Sequence, residues 1–113
     1  MLYHMARAPQ LSHAQFAVLS CLIGGPTSGR DIRRGLAEFG MRQGGPAFYQ
    51  LMARMEDARF VVGSYEQKIV KSQIIRERHY RITAAGRGAW NDTRQFYARA
   101  GSLVAGKKGL AHG

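Results

Sequence analysis

Apolar residues return at helical spacing in three successive stretches of the chain, and the third changes period part-way. In the first, Phe16, Leu19, Leu22 and Ile23 share a face that also carries Val18 and Cys21. Ser12 with Gln15 three residues on has capping-box form, and Gly24-Gly25-Pro26 is a strong stop. In the second, Ile32, Leu36 and Phe39 face inward, while Arg30, Arg33 and Arg34 share the other side. Thr27 and Ser28 stand at its cap, Ser28 and Asp31 have capping-box spacing, and Gly40 is placed to end it in the left-handed conformation. The third runs over residues 44–62 (GGPAFYQLMARMEDARFVV). Pro46 suits a first helical position, after a turn over residues 41–45 where Gly44 and Gly45 let the backbone bend. Phe48, Leu51, Met52 and Met55 form its apolar face, and Tyr49, Gln50, Ala53 and Arg54 point elsewhere. After Arg59, Phe60-Val61-Val62 opens a strand predicted over about residues 60–65.

Residues 66–73 (EQKIVKSQ) are polar and basic and lack the glycine of a tight hairpin, which predicts a long loop carrying Lys68 and Lys71. Ile69 and Val70 at its tip leave three readings open: longer strands, packing in a minor groove, or a partner contact. The return strand, residues 75–83 (IRERHYRIT), alternates. It sets Ile75, Glu77, His79 and Arg81 on one side and Arg76, Arg78, Tyr80 and Ile82 on the other. Tyr80 and Ile82 are expected inward near the base, with Arg76 and Arg78 further out, in reach of a phosphate. Thr83 caps a last helix from Ala84 to about Leu103. Along it Gly86, Trp90, Thr93, Tyr97, Ala100 and Val104 are separated alternately by four and three residues, a heptad-like seam with Phe96 on its flank. So small a domain has little left to cover this helix, and a second copy of the chain is the expected cover.

The pattern therefore predicts an α+β fold, mainly helical with a small β-wing. It divides into an arm at 1–10, a winged helix-turn-helix domain at 11–83, a dimerisation helix at 84–104 and a disordered basic tail at 105–113.

Charge narrows the choice of partner. The 113 residues carry 17 Lys and Arg against 7 Asp and Glu, a net charge of +10. Thirteen of the cations are Arg, whose planar fork suits phosphate and guanine. Such an excess implies a polyanion, most often nucleic acid. Hydrophobic content of 45% argues against a disordered chain, and no apolar run reaches the roughly 18–20 residues of a membrane span. The first ten residues lack the apolar core of a signal peptide. A single cysteine, Cys21, excludes an internal disulfide and fits a reducing cytoplasm, and it reads as a small buried hydrophobe. Histidines at 4, 13, 79 and 112 have no ligand spacing, so neither a metal nor a cofactor is expected. No enzyme is expected either. There is no paired-carboxylate constellation and no nucleophile with its base, and Gly24-Gly25-Pro26 lacks the lysine and preceding strand of a phosphate loop.

Three segments carry a family resemblance: residues 19–32 (LSCLIGGPTSGRDI), 45–55 (GPAFYQLMARM) and 80–86 (YRITAAG). Through them the chain resembles the PadR-type winged helix-turn-helix transcriptional regulators, in the short form with one C-terminal helix, over about residues 11–90. The resemblance implies a homodimer joined through N- and C-terminal helices. It also implies a palindromic operator, frequent repressor action and, in several members, an aromatic or amphipathic effector near the dimer interface. It places Tyr49 at a phosphate and Tyr80 at the wing base. The chain departs from the pattern at Arg30, where an aromatic residue is usual, and at Arg59, where a glycine usually ends the reading helix. Its wing lacks the usual glycine and basic cluster.

On this reading a helix over about 45–58 enters the major groove and a wing over about 60–82 lies on the backbone. Arg42, Gln43, Ala47, Gln50 and Arg54 fall near the groove, Gln50 suited to adenine and Arg54 to guanine or phosphate. Arg30, Lys68, Lys71, Arg76 and Arg78 supply sequence-blind phosphate contacts. Trp90, Thr93, Phe96, Tyr97, Ala100 and Val104 form a dimer interface, or their aromatic members stack a planar effector. A protein-interaction module would instead need an apolar patch on the reading helix, where Tyr49, Gln50 and Arg54 stand.

Overall fold

The computed structural model describes the backbone of residues 11–112 and the side chains of residues 11–103, so the arm at 1–10 and the side chain of Val104 lie outside it. Chain order is α1 (His13–Leu22), β1 (Thr27–Ser28), α2 (Gly29–Glu38), α3 (Gly45–Asp57), β2 (Val61–Val70), β3 (Gln73–Ile82) and α4 (Ala84–His112). The strands form one antiparallel sheet in the order β1-β3-β2.

Helix α1 starts on a reciprocal box. Ser12 Oγ accepts the Gln15 N–H at 3.1 Å, and Gln15 Oε1 accepts the Ser12 N–H at 2.9 Å. At α2 only Ser28 caps, accepting the Asp31 N–H at 3.1 Å. Thr27 is not a cap. With Ser28 it forms β1, Thr27 opposite Tyr80 and Ser28 opposite His79, which ties the start of α2 to the wing. A two-residue strand has no periodicity to read, and only its partner reveals it.

Helices α2 and α3 both end in Schellman motifs. After α2, Met41 N–H reaches the Leu36 carbonyl and Gly40 N–H the Ala37 carbonyl, with Gly40 at φ 77°. After α3, Phe60 N–H reaches Met55 and Arg59 N–H reaches Glu56, but here the left-handed residue is Arg59 at φ 63°. Helix α3 begins one residue earlier than Pro46 implies. Gly44 is its N-cap at φ −70°, an ordinary value, so Pro46 takes the second turn-one position and Gly44's freedom goes unused.

The wing departs from expectation. Residues 66–73 form no long loop, because β2 and β3 pair continuously from Val61–Ile82 to Val70–Gln73. The turn is two residues, Lys71 at φ 50° and Ser72 at φ 65°. This is the twist-matched hairpin geometry that Asn-Gly usually supplies. The ten paired positions hold a turn that its own residues disfavour. Ile69 and Val70 extend the strand, and Ile69 is 77% exposed.

The core gathers Val18, Leu19 and Leu22 of α1, Ile32 and Leu36 of α2, and Phe48, Met52 and Met55 of α3 beneath Val61 and Tyr80 of the wing base. Phe39, expected inward, is 61% exposed, since α2 has already ended and the chain is turning there. Helix α4 continues as helix through the residues read as a tail, to His112.

Candidate nucleic-acid interface

Burial divides α3 into three faces. Phe48, Leu51, Met52 and Met55 are buried in the core. Tyr49, Ala53 and Glu56 line a hollow of about 440 Å³ against the wing residues Tyr65, Arg76, Arg78 and Tyr80. Ala47, Gln50, Arg54 and Asp57 remain exposed on the outward face. The structure thus brings Ala47, Gln50 and Arg54 together on one open stripe, at helical spacings of three and four.

Beside this stripe lies an open cleft of about 510 Å³ between α2, the helix–helix turn and β3. Its walls carry Arg30, Arg33, Arg34, Arg42, Arg76 and Arg78, with Gln43, Tyr49 and Glu77. Tyr49, 59% exposed, borders both the cleft and the wing hollow. Arg33 is partly committed: it donates to the Gln43 carbonyl at 3.1 Å and lies over the Phe48 ring at 5.9 Å, closing the turn between the two helices. Arg34 pairs with Asp31.

Two carboxylates decide what the wing cations can do. Glu56 takes the Arg78 guanidinium through both oxygens, at 3.0 and 3.1 Å. The pair pushes Arg78 further up from its already basic value, while burial pushes the Tyr80 phenol up against the opposing effect of neighbouring Arg78. On the opposite face of the ribbon, Glu77 accepts His79 Nε2–H at 2.9 Å, since a carboxylate can only accept. It also draws Lys68 to 3.3 Å and Arg30 to 3.8 Å. The His79 hydrogen bond, then Lys68 and Arg30, hold the Glu77 carboxyl below its ordinary range despite desolvation. Glu66 faces Glu77 directly across the strands, and His79 stands 3.6 Å from Glu66 as well. Arg42, Arg54, Lys71 and Arg76 make no ion pair among the described residues, although Arg76 lies over the Tyr65 ring at 4.4 Å.

The sequence places Arg78 with Arg76 in reach of a phosphate, and in the structure Arg78 pairs with Glu56 while Arg76 has no carboxylate partner among the described residues. Glu56 and Glu77 were the residues missed. Strand alternation put Glu77 beside His79, but its link to Arg30 spans two elements and leaves no periodic trace.

Along α4 the seam splits. A Cβ at Gly86 would strike the Phe60 carbonyl and Ile82, so the helix start is pressed onto the wing base. Trp90 donates its indole N–H to Ser20 Oγ at 2.9 Å and stacks on Phe16, and Thr93 is 1% exposed, donating to the Ala89 carbonyl. Trp90 is therefore partly covered by α1 of its own chain, and Thr93 is buried within it. Phe96, Tyr97, Ala100 and Leu103 stay exposed. An apolar groove of about 350 Å³, lined by His13, Phe16, Ala17, Ser20, Phe39, Met41 and Tyr97, opens beside them. Cys21 is half-buried, and burial with nearby Glu38 raises its thiol, the reverse of an activated nucleophile. No cluster of metal-ligating side chains occurs among the described residues. No described helix is long and apolar enough to cross a membrane.

This arrangement of three helices, a β-ribbon and a trailing helix recurs in solved structures. A PadR-family transcription regulator from Clostridium difficile superposes with a TM-score of 0.71 over 83% of this chain and 96% of its own, at 16% identity. The chain has the PadR-type winged-helix fold. A PadR-family transcriptional regulator from Eggerthella lenta matches 86% of the chain and 80% of its own length at 26% identity, TM-score 0.54. Bacillus subtilis PadR, solved in complex with operator DNA, matches 69% of the chain at 22% identity with a TM-score of 0.56. The chain spans 44% of that protein's length. By sequence, no protein-family model and no curated protein matches. In this PadR-type fold, α2 and α3 are the helix-turn-helix, β2 and β3 the wing, and α4 the trailing helix.

Proposed function

We propose that the chain is a sequence-specific DNA-binding transcriptional regulator that inserts α3 into a major groove. The observation that carries the proposal is the open polar stripe of α3, with Gln50 and Arg54 exposed while the opposite face is buried, beside the arginine-lined cleft. Gln50 and Arg54 read base edges, with Ala47 against the groove floor. Arg30, Arg42, Gln43, Tyr49, Arg76 and Lys71 hold phosphates, and Lys68 joins them when it leaves Glu77. The likeness to a PadR solved with operator DNA supports this reading. Exposed Phe96, Tyr97, Ala100 and Leu103 support a homodimer through α4, hence a palindromic operator, and on this reading the dimer represses by occlusion in the cytoplasm.

The test is to bind purified protein to sheared genomic DNA from its source at about 150 mM salt, a condition that suppresses purely ionic retention, and sequence what stays bound. Enrichment of one inverted repeat, with half-sites about one helical turn apart, is the expected result. Uniform retention that collapses with added salt would leave α3 without a reading role.

The groove beside Tyr97 favours a second reading, an effector-gated regulator. Phe16, Phe39 and Tyr97 would enclose a planar aromatic molecule there, with Trp90 behind Phe16 as reporter. A panel of planar aromatics that changes neither Trp90 emission nor DNA affinity removes this reading.

A further inference from the structure

An acidic side chain on a helix that approaches phosphates weakens binding by simple repulsion, so the placement of Glu56 asks for a reason. It lies on the wing side of α3, one and two turns beyond Ala53 and Tyr49. Its partner Arg78 sits in a built socket. Glu56 grips the guanidinium through two bonds, the Tyr65 ring lies 4.8 Å from it and the Tyr80 ring 5.6 Å. The floor is Gly63, where any Cβ would come within 2.6 Å of the Arg78 terminal nitrogen and 2.9 Å of Cζ. Both bonds leave one terminal nitrogen, so it is the two tyrosine rings and the Gly63 floor that hold the guanidinium plane, and a lysine ammonium has no plane to hold.

The lever arm makes the angle of the wing matter. Ten-residue strands extend about 33 Å from the base, so a tilt of about 10° moves the tip by roughly 6 Å, more than the ~3.4 Å rise between base pairs. The wing tip, Lys71 and Ser72, then tracks a different phosphate while α3 stays in place.

We infer that the Glu56–Arg78 pair is the pin that sets the wing against the reading helix, which makes Glu56 a specificity-determining positioning residue that touches no DNA. The inference rests on the DNA-binding reading. Arg78 stays with Glu56 when DNA binds, and phosphate contact falls to Arg76 and Lys71, both nearer the wing tip than the pin.

The experiment uses the full chain and two readouts. Spin labels at Ala37→Cys and Ser72→Cys, in a Cys21→Ser background diluted with unlabelled chain, give the α2-to-tip distance distribution. Affinities are measured for the inverted repeat recovered by genomic selection and for a random duplex of equal length. The parent is expected to show one narrow distance. Glu56→Gln broadens it and lowers the ratio of specific to random affinity by about tenfold, with a melting temperature lowered by only a few degrees and no loss on random DNA. Arg78→Lys, which keeps the charge and loses the planar group packed against Tyr65 and Tyr80, gives the same direction with a smaller effect. A narrow distance and unchanged ratio in both variants overturn the inference. So does equal loss on both duplexes, which would make Glu56 a general structural support. If the parent enriches no sequence, the DNA-binding reading falls by itself, and unchanged distances in Glu56→Gln would remove the pin as well.

Discussion

Arg54 of α3 and Arg78 of the wing are chemically the same and stand in opposite surroundings. Arg54 stands on an open stripe with no carboxylate partner among the described residues, whereas Arg78 is gripped by Glu56 and walled by Gly63 and two tyrosines. An arginine left exposed keeps its five donors for a ligand, and one paired and packed has given them to the fold. The count of 17 Lys and Arg therefore overstates the cations free for a polyanion, since Arg30, Arg34, Lys68 and Arg78 each stand within 4 Å of a carboxylate. It also means that mutations at the two sites should separate affinity from stability.

The largest separation is expected at Arg54. Arg54→Ala should lower affinity for the selected operator by about 1–3 kcal/mol while changing stability by no more than about 0.5 kcal/mol. Competition assays on operator and random duplex check this, and equal losses on both would turn Arg54 into a phosphate contact and blur the contrast. Arg78→Ala should do the reverse. Its half-exposed, charge-assisted pair is worth about 1 kcal/mol once solvent screening is allowed for, and urea unfolding should show that loss. An unfolding midpoint equal to the parent's would mean that the socket contributes nothing to the fold.

Arg59 is a third kind of arginine, held by its backbone at φ 63° where the equivalent position after α2 is Gly40. Arg59→Gly should stabilise by roughly 0.5–1 kcal/mol, the relief of a left-handed L-residue less the greater chain entropy of glycine. A fall in melting temperature would show that the Arg59 side chain contributes more than its backbone costs. Lys71→Ala should leave stability alone and shallow the salt dependence of DNA binding by about one unit of slope, and an unchanged slope removes the wing tip from the footprint.

The smallest effect concerns acid. The Glu77 carboxyl is held low by His79, Lys68 and Arg30, so its folded value lies beneath its unfolded one. Its stabilising contribution is present in full above the ordinary glutamate range near pH 4.3 and fades as pH falls through the lower folded value. Glu77→Gln should flatten the acid limb of a stability–pH curve. An identical limb in the variant would mean that Glu77 is not linked to folding.

The sequence was legible where one residue's neighbours along the chain decide its state. The Ser12–Gln15 box, the Gly40 stop, the buried stripe of Phe48, Leu51, Met52 and Met55, and the inward Tyr80 all follow from local spacing. At Arg59, where the resemblance puts a glycine, the backbone is left-handed. Local reasoning failed at the wing loop, because a Lys71-Ser72 turn is disfavoured by its own residues and is held by ten cross-strand pairs. It failed at Phe39 for a related reason. Which side chains of a helix are covered depends on what lies opposite, as the contact of Trp90 with α1 also shows.

By itself, then, the sequence determined the order of the four helices and the two wing strands, and an excess of positive charge seeking a polyanion. These rest on periodicity, capping and composition, which act over a few residues or over the chain as a whole, while the PadR type was carried by the resemblance of three segments. Only the tertiary structure decided which cations remain available, because an ion pair such as Arg78 with Glu56, 22 residues apart, forms by proximity in space. Charge is inherited from the sequence, but whether it is spent inside the fold or held for a ligand depends on where the chain brings its carboxylates.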